Sequence, residues 1–269
     1  MTQDNINLIA SRVISIEADA LHQMARELPL GFADAVEAIL RIKGRVIVSG
    51  VGKSGHIGNK IAATLASTGT PASFVHSTEA SHGDLGMVTA ADFCLLISNS
   101  GETSELRDIV AHTRRFGIPM AAISSNLDST LMQAADYKLT LTKAPEACSI
   151  GMAPTTSTTL TLALGDALAV ALMEQRDFQP EDFKVFHPGG KLGAQMATVA
   201  QLMHHGDALP IVDHKTPMRD ALITMTSKGF GIAIVIQDGA LFGVITDGDL
   251  RRHIDSLMQA TAGEIAGQN

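Results

Sequence analysis

The segment Val46-Ile47-Val48-Ser49-Gly50-Val51-Gly52-Lys53-Ser54-Gly55 carries an apolar run into a glycine-rich turn with a lysine and a serine at its lip. Such a run suits a parallel strand covered on both faces. The glycines let backbone N–H groups approach an anion at the N-terminus of the following helix. A phosphate-bearing ligand is the expectation. Two familiar loops share these letters and fit poorly. A Walker A loop would need glycine where Ile47 stands. The dinucleotide fingerprint would need an acid at the end of the second strand, and Ala72-Ser73-Phe74-Val75 ends in His76.

Two more polar turns follow strand-like runs. Phe93 to Ile97 leads into Ser98-Asn99-Ser100-Gly101-Glu102-Thr103, whose hydroxyls at Ser98, Ser100 and Thr103 could cradle one phosphate. Alone, that turn reads equally as a helix cap. Pro154-Thr155-Thr156-Ser157-Thr158-Thr159 offers a third hydroxyl-rich helix start. Three such sites at one sheet edge favour a ligand.

The elements that must position these turns alternate. Helical spacing of Ile6, Ile9, Val13, Ile16, Ala20 and Met24 predicts a helix over 5–28, ending before Pro29, and a second covers Phe32 to Ile42. Strands are predicted at 45–49, 72–75, 92–97, 119–124 and 137–141, with helices near 55–67, 79–86, 103–116, 128–135 and 155–175. This order implies an α/β fold, a doubly wound parallel five-stranded sheet that binds ligands outside its strands' carboxyl ends. After Pro188-Gly189-Gly190 the pattern changes to a helix with Met218, Ala221, Leu222 and Met225. Strands at 232–236 and from Leu241 follow, joined by a turn at Gln237-Asp238-Gly239. They form a small C-terminal α+β unit.

Composition narrows the classes. A net charge of −8 argues against nucleic acid or an anionic membrane as partner. Aromatic residues at 4% with no tryptophan cannot build a base-stacking platform. The most apolar stretch, Leu160 to Met173, is interrupted by Gly165 and Asp166 and is too short to span a bilayer. The N-terminus has no apolar export signal, and Cys94 and Cys148 read as free thiols, so a cytoplasmic protein is expected.

Taken together, the Gly-x-Gly-Lys-Ser-Gly loop, the Ser-x-Ser-Gly-Glu-Thr turn and the Ala-Pro-Thr-Thr-Ser-Thr helix start resemble a sugar isomerase (SIS) domain. The runs Ala66-Ser67-Thr68-Gly69-Thr70-Pro71, Glu79-Ala80-Ser81-His82-Gly83-Asp84-Leu85-Gly86, Glu146-Ala147-Cys148 and His187-Pro188-Gly189-Gly190 make the chain similar to D-arabinose 5-phosphate isomerases. These enzymes feed Kdo and lipopolysaccharide synthesis and related capsule and sugar-alcohol operons. Gly243-x-x-Thr246-Asp247-Gly248-Asp249-Leu250 resembles one cystathionine-β-synthase (CBS) motif. The implied organisation is N-terminal helices over 1–43, a SIS domain over 44–187, a linker over 188–200 and a single CBS motif over 201–269. Family members carry two such motifs, so the pair is expected to be incomplete and nucleotide sensing there is open.

The resemblance implies interconversion of arabinose 5-phosphate and ribulose 5-phosphate through an enediol, with no required cofactor. Ring opening and proton transfer between C1 and C2 need general acid–base groups, each giving roughly 10²- to 10⁴-fold. It places catalytic roles on Lys53, Glu105, Glu146 and His187. Substrate contact falls on Ser54, Gly69, Thr70, His82, Ser98, Ser100, Thr103, Thr155, Thr156 and Ser157. Glu146 is the first choice for the enediol base, because Glu105 in the first turn of a helix could simply favour the dipole. His82, with Asp84 beside it, is a candidate for ring opening. His76 could join a non-catalytic zinc or other divalent metal site. A homotetramer is implied, with His187 reaching a neighbouring subunit. The alternative is a non-catalytic sugar-phosphate sensor using the same pocket, with a dehydrogenase third.

Overall fold

The computed structural model describes residues 3–186 and 199–267. The chain divides into two compact units, Met1–Ala194 and Gln195–Asn269.

In the first unit, α1 (Gln3–Arg26) and α2 (Phe32–Arg41) precede five parallel strands. These are β1 (Val46–Gly50), β2 (Ala72–Phe74), β3 (Phe93–Ile97), β4 (Met120–Ser124) and β5 (Tyr137–Thr140), in the order β2-β1-β3-β4-β5. The sheet is doubly wound: the chain moves outward from β1 to β2, then returns to the other side of β1 for β3. Period-two alternation splits the strands between two cores. Val46, Val48, Phe93, Leu95 and Ile97 face one core, and Ile47, Cys94, Leu96 and Met120 the other.

The connecting helices are α3 (Gly52–Ser67), α4 (Ser77–Ala80), α5 (Arg107–Phe116), α6 (Thr130–Ala134), α7 (Thr156–Gln175) and α8 (Pro180–Phe186). Two predicted helices are shorter than expected. The segment at 79–86 resolves into α4 and a 3₁₀ turn at Asp84–Met87, and the one at 103–116 opens with a 3₁₀ turn at Ser104–Leu106. Helix α8 carried no clear sequence signal.

The apolar run in α7 is longer than it reads: among the described residues this is the one helix long and apolar enough to cross a membrane. Its stripe Leu160, Leu164, Leu168 and Leu172 is instead buried against α1, α2 and α3, the pattern of a core helix. Gly165, read as an interruption, is the contact point with α3. A side-chain carbon there would stand 2.4 Å from Ile61. The stripe on α1 is buried only at Ala20 and Met24, so its N-terminal half does not join this core.

The second unit contains α9 (Val199–Leu202), β6 (Ile211–Asp213), α10 (Met218–Lys228), β7 (Ile232–Gln237), β8 (Ala240–Thr246), α11 (Asp247–Arg252) and α12 (Ala262–Ile265). Strand β6, too short to stand out in sequence, pairs parallel with β7, and β7 pairs antiparallel with β8. Asp238 and Gly239 both have positive φ in the two-residue hairpin loop, as a primed turn requires. Thr246 and Asp249 form a capping box on α11. Bonds from the Thr246 hydroxyl and N–H lower the Asp249 carboxyl to about 2.

Gly165→Leu should wedge α3 from α7. A loss of about 1–3 kcal/mol, the usual cost of overpacking, is expected in urea unfolding; unchanged stability would show that the helices do not meet there.

Candidate active site

Reversal of strand order between β1 and β3 opens a crevice at their carboxyl ends, where Gly50 pairs with Ile97. Three segments enter it, one after each of β1, β3 and β5.

The first is the start of α3. Gly50 and Gly55 are small because strand end and helix approach closely: a side-chain carbon on Gly55 would lie 2.9 Å from the Gly50 oxygen. Val51 is the N-cap and has no side-chain acceptor to offer. The leading N–H groups of α3, with the positive end of its dipole, are therefore open to an external anion. Lys53 is exposed beside them and, among the described residues, has no ion-pair or hydrogen-bond partner.

The second is the turn after β3, whose hydroxyls bond one another and the turn's own backbone. The Ser98 and Thr103 hydroxyls lie 2.7 Å apart and those of Ser98 and Ser100 lie 3.5 Å apart. The Gly101 N–H donates to Ser98 Oγ at 3.0 Å and the Glu102 N–H to Ser100 Oγ at 3.2 Å. Asn99 projects between these serines, its backbone carbonyl fixed by the hydroxyls of Ser124 and Ser125 at 3.0 and 2.9 Å.

The third segment differs from expectation. The hydroxyl-rich start of α7 already holds an anion, the carboxylate of Glu146. Its Oε2 accepts from the Thr155 N–H at 2.7 Å, the Thr155 hydroxyl at 3.0 Å and the Ser157 N–H at 3.3 Å. Its Oε1 accepts from the Ser157 hydroxyl. Partial burial pushes the Glu146 carboxyl up, but these bonds outweigh it and leave it below the ordinary value. Thr155 and Ser157 therefore position a carboxylate first. Thr156 Oγ1 is buried without a partner among the described residues.

Two clefts join these segments. One of about 310 Å³ is lined by Glu146, Ser157, Asn99, Ser125, Asn126 and Lys143. Another of about 200 Å³ is lined by Lys53, Ser54, Asn99, Pro154, Ser157 and Thr158. Asn99 and Ser157 belong to both, so lysine and glutamate face adjoining spaces. Asn99, Asn126 and Lys143 were not singled out from the sequence. Asn99 could have been, since it lies between two serines that were.

Other expected positions lie elsewhere. Gly69 and Thr70 sit at the opposite, amino edge of the sheet, just before β2. They form the C-terminal stop of α3: Gly69 has φ 90° and the Thr70 N–H bonds the Leu65 carbonyl at 2.9 Å, a Schellman arrangement. Helix termination accounts for that run, and within this chain it does not reach the crevice. Glu105 is exposed in the 3₁₀ turn rather than in α5, and lines neither cleft. A bond from the Ser104 hydroxyl at 2.8 Å lowers its carboxyl. His82 is exposed after α4 and makes no hydrogen bond to Asp84. His187 lies outside the described residues.

His76 caps α4, its Nδ1 accepting from the Thr78 N–H at 3.3 Å. Among the described residues no group of three or more His, Cys, Asp or Glu side chains could hold a metal ion. Nδ1 is thus engaged, and among those residues none joins His76 as a companion ligand.

Comparison with known proteins agrees with this architecture. Residues 39–171 match the SIS domain family and residues 199–256 the CBS domain family. The chain is 48% identical over 257 residues to arabinose 5-phosphate isomerase KdsD of Yersinia pestis, covering 95% of this chain and 78% of that protein. It is 49% identical over 248 residues to the protein of that name from Pseudomonas aeruginosa, covering 91% and 76%. A solved structure of an Escherichia coli protein in complex with arabinose 5-phosphate superposes with a TM-score of 0.68 at 38% identity, covering 70% of this chain and all of that one. The first unit is a SIS domain. The chain belongs to the arabinose 5-phosphate isomerase family.

Because its folded pKa is lowered, Glu146 stabilises the fold above its ordinary value of 4.5 and loses that contribution as pH falls through the folded value. Glu146→Gln should cost about 0.5–2 kcal/mol at pH 7, as loss of a helix cap does, and less in acid. Urea unfolding at both pH values checks this. A deficit independent of pH would mean that Glu146 does not hold α7 as an anion.

Proposed function

We propose that this chain is an aldose–ketose isomerase interconverting arabinose 5-phosphate and ribulose 5-phosphate. The observation that carries the reading is the pairing of an open helix start and a free lysine with an ionised, pre-oriented carboxylate across adjoining clefts. Beyond capping α7, a carboxylate beside the anion donors would only repel a phosphate that was merely to be held, which weakens the sensor reading. The family relationship supports the substrate.

The phosphate sits against the start of α3, with Lys53, Ser54 and the hydroxyls of Ser98, Ser100 and Thr103 supplying donors. Ring opening exposes the C1 aldehyde, with His82 or His187 as the acid–base group. Glu146 then removes the proton from C2. The C2–H electrons form the C1–C2 double bond, and the carbonyl electrons move to O1, giving an enediolate that Lys53 stabilises. Passage of the O2 proton to O1 and return of the proton from Glu146 to C1 give the C1 hydroxyl and the ketone at C2. Oε1 accepts a single hydrogen bond in the fold, which leaves lone-pair capacity for the substrate proton. Held below its ordinary pKa, Glu146 is a weak but fully ionised base at neutral pH. Glu105 supports the reaction from outside the two clefts.

The same reading makes the protein a cytoplasmic homotetramer supplying Kdo for lipopolysaccharide, or a capsule sugar. Family membership supports it.

Purified protein given arabinose 5-phosphate should form ribulose 5-phosphate without added cofactor. Lys53→Met should lower kcat/KM by about 10²- to 10³-fold, the usual loss of one charge-stabilising donor. An inactive wild type would overturn the function, and a fully active variant would remove Lys53 from it.

A further inference from the structure

We infer, on the reading proposed above that the phosphate meets the hydroxyls of Ser98, Ser100 and Thr103, that Glu102 is a positioning residue: anchored on Thr130, it sets the turn that carries them. Glu102 itself does not touch the substrate.

A carboxylate is out of place in a turn whose hydroxyls are to hold a phosphate, because the two anions repel. The structure turns it away. Glu102 lines neither of the two clefts at the site, but a separate groove of about 200 Å³ with Leu106, Arg107 and Leu131. There its Oε1 accepts from the Thr130 N–H and its Oε2 from the Thr130 hydroxyl, each at 2.7 Å. Those two bonds, the N–H first, hold the carboxyl below its ordinary value. Thr130 opens α6, which follows the neighbouring strand β4. Glu102 therefore fastens the turn after β3 to the element after β4.

Other ties run beside it. The Asn99 carbonyl accepts the Ser125 N–H at 3.1 Å, and the Gly101 carbonyl accepts the Leu131 N–H at 3.1 Å. A side-chain carbon on Gly101 would clash with the Ser129 hydroxyl, so the turn is pressed close to that segment. These contacts join neutral groups. Bonds to an ionised acceptor are roughly twice as strong, which makes the Glu102 carboxylate the firmest tie. The Glu102 N–H also donates to Ser100 Oγ at 3.2 Å. The anchored residue thus engages a lone pair of Ser100 and leaves its hydroxyl proton to donate. On its other side Glu102 is joined directly to Thr103, whose hydroxyl lies 2.7 Å from Ser98 Oγ. Without the anchor the three hydroxyls lose their common orientation.

Removing a negative charge beside an anion site tightens binding if the charge is all that matters. Removing an anchor weakens binding and spares the chemistry, since the phosphate does not react. Glu102→Ala should therefore raise KM for arabinose 5-phosphate, and the apparent Kd read from its ³¹P resonance at equilibrium, by about 10-fold, equivalent to one charge-assisted hydrogen bond. Its kcat should change less than about threefold, the signature of lost uniform binding. Glu102→Gln, whose amide can accept from the Thr130 N–H and donate to its hydroxyl, should restore most of the affinity without the charge. Thr130→Val should weaken binding about threefold, and combined with Glu102→Ala it should add nothing further. Far-UV circular dichroism checks the fold of each variant; if Glu102→Ala is unfolded, Thr130→Val decides by the same split. Tighter or unchanged binding in Glu102→Ala overturns the positioning role. So does a fall in kcat at constant KM, or a loss in Glu102→Gln equal to that in Glu102→Ala. A wild type that binds arabinose 5-phosphate without converting it contradicts the isomerase reading alone, and the Kd ratios still decide the role of Glu102. A wild type that does not bind it overturns both.

Discussion

Two helices begin in the same crevice, and their N-termini are treated differently. The start of α7 is filled by the chain's own anion: Glu146 accepts two backbone N–H groups and two hydroxyls there. The start of α3 is capped by Val51, which has nothing to offer, so its donors and Lys53 remain open. One positive helix end holds a carboxylate in place, and the other is open to an anion. The rest of the first unit brings these two ends to adjoining clefts that share Asn99 and Ser157.

The sheet does this through strand order. Because β3 returns to the inner side of β1, the loops after them flank one crevice instead of lying side by side on one face. The core beneath is stiff. Alternating residues of the central strands are buried on both faces, and α7 lies close against α3 at Gly165. The position of Glu146 thus depends on α7, and that of Lys53 on α3, with direct packing between the two helices. A carboxylate held by four donors gives up basicity for fixed orientation, which suits the proposed transfer of one proton between adjacent carbons.

Much of this was legible in the sequence. The five strands fell close to their predicted limits: β1, β3 and β4 are fully buried runs, and the partly buried β2 and β5 are bounded by turn residues. Other readings had rivals that the structure displays. Gly69-Thr70 looked like a substrate loop, but a glycine followed by a Schellman bond is also how a helix ends, and sequence alone does not separate the two. Thr155 and Ser157 looked like phosphate donors because hydroxyls at a helix start can serve any anion, including Glu146, nine residues before Thr155. Asn99 was passed over because its importance comes from lying where two clefts meet. Strand β6 has three residues and is defined by its pairing with β7.

The most direct test of a fixed Glu146 carrying the proton is isotope exchange in D₂O. Glu146→Gln should still bind arabinose 5-phosphate, seen as a shifted or broadened ³¹P resonance, while incorporating no deuterium at C1 or C2 over times in which the wild type exchanges fully. Deuterium entering the bound sugar at the wild-type rate in that variant would show that another group moves the proton.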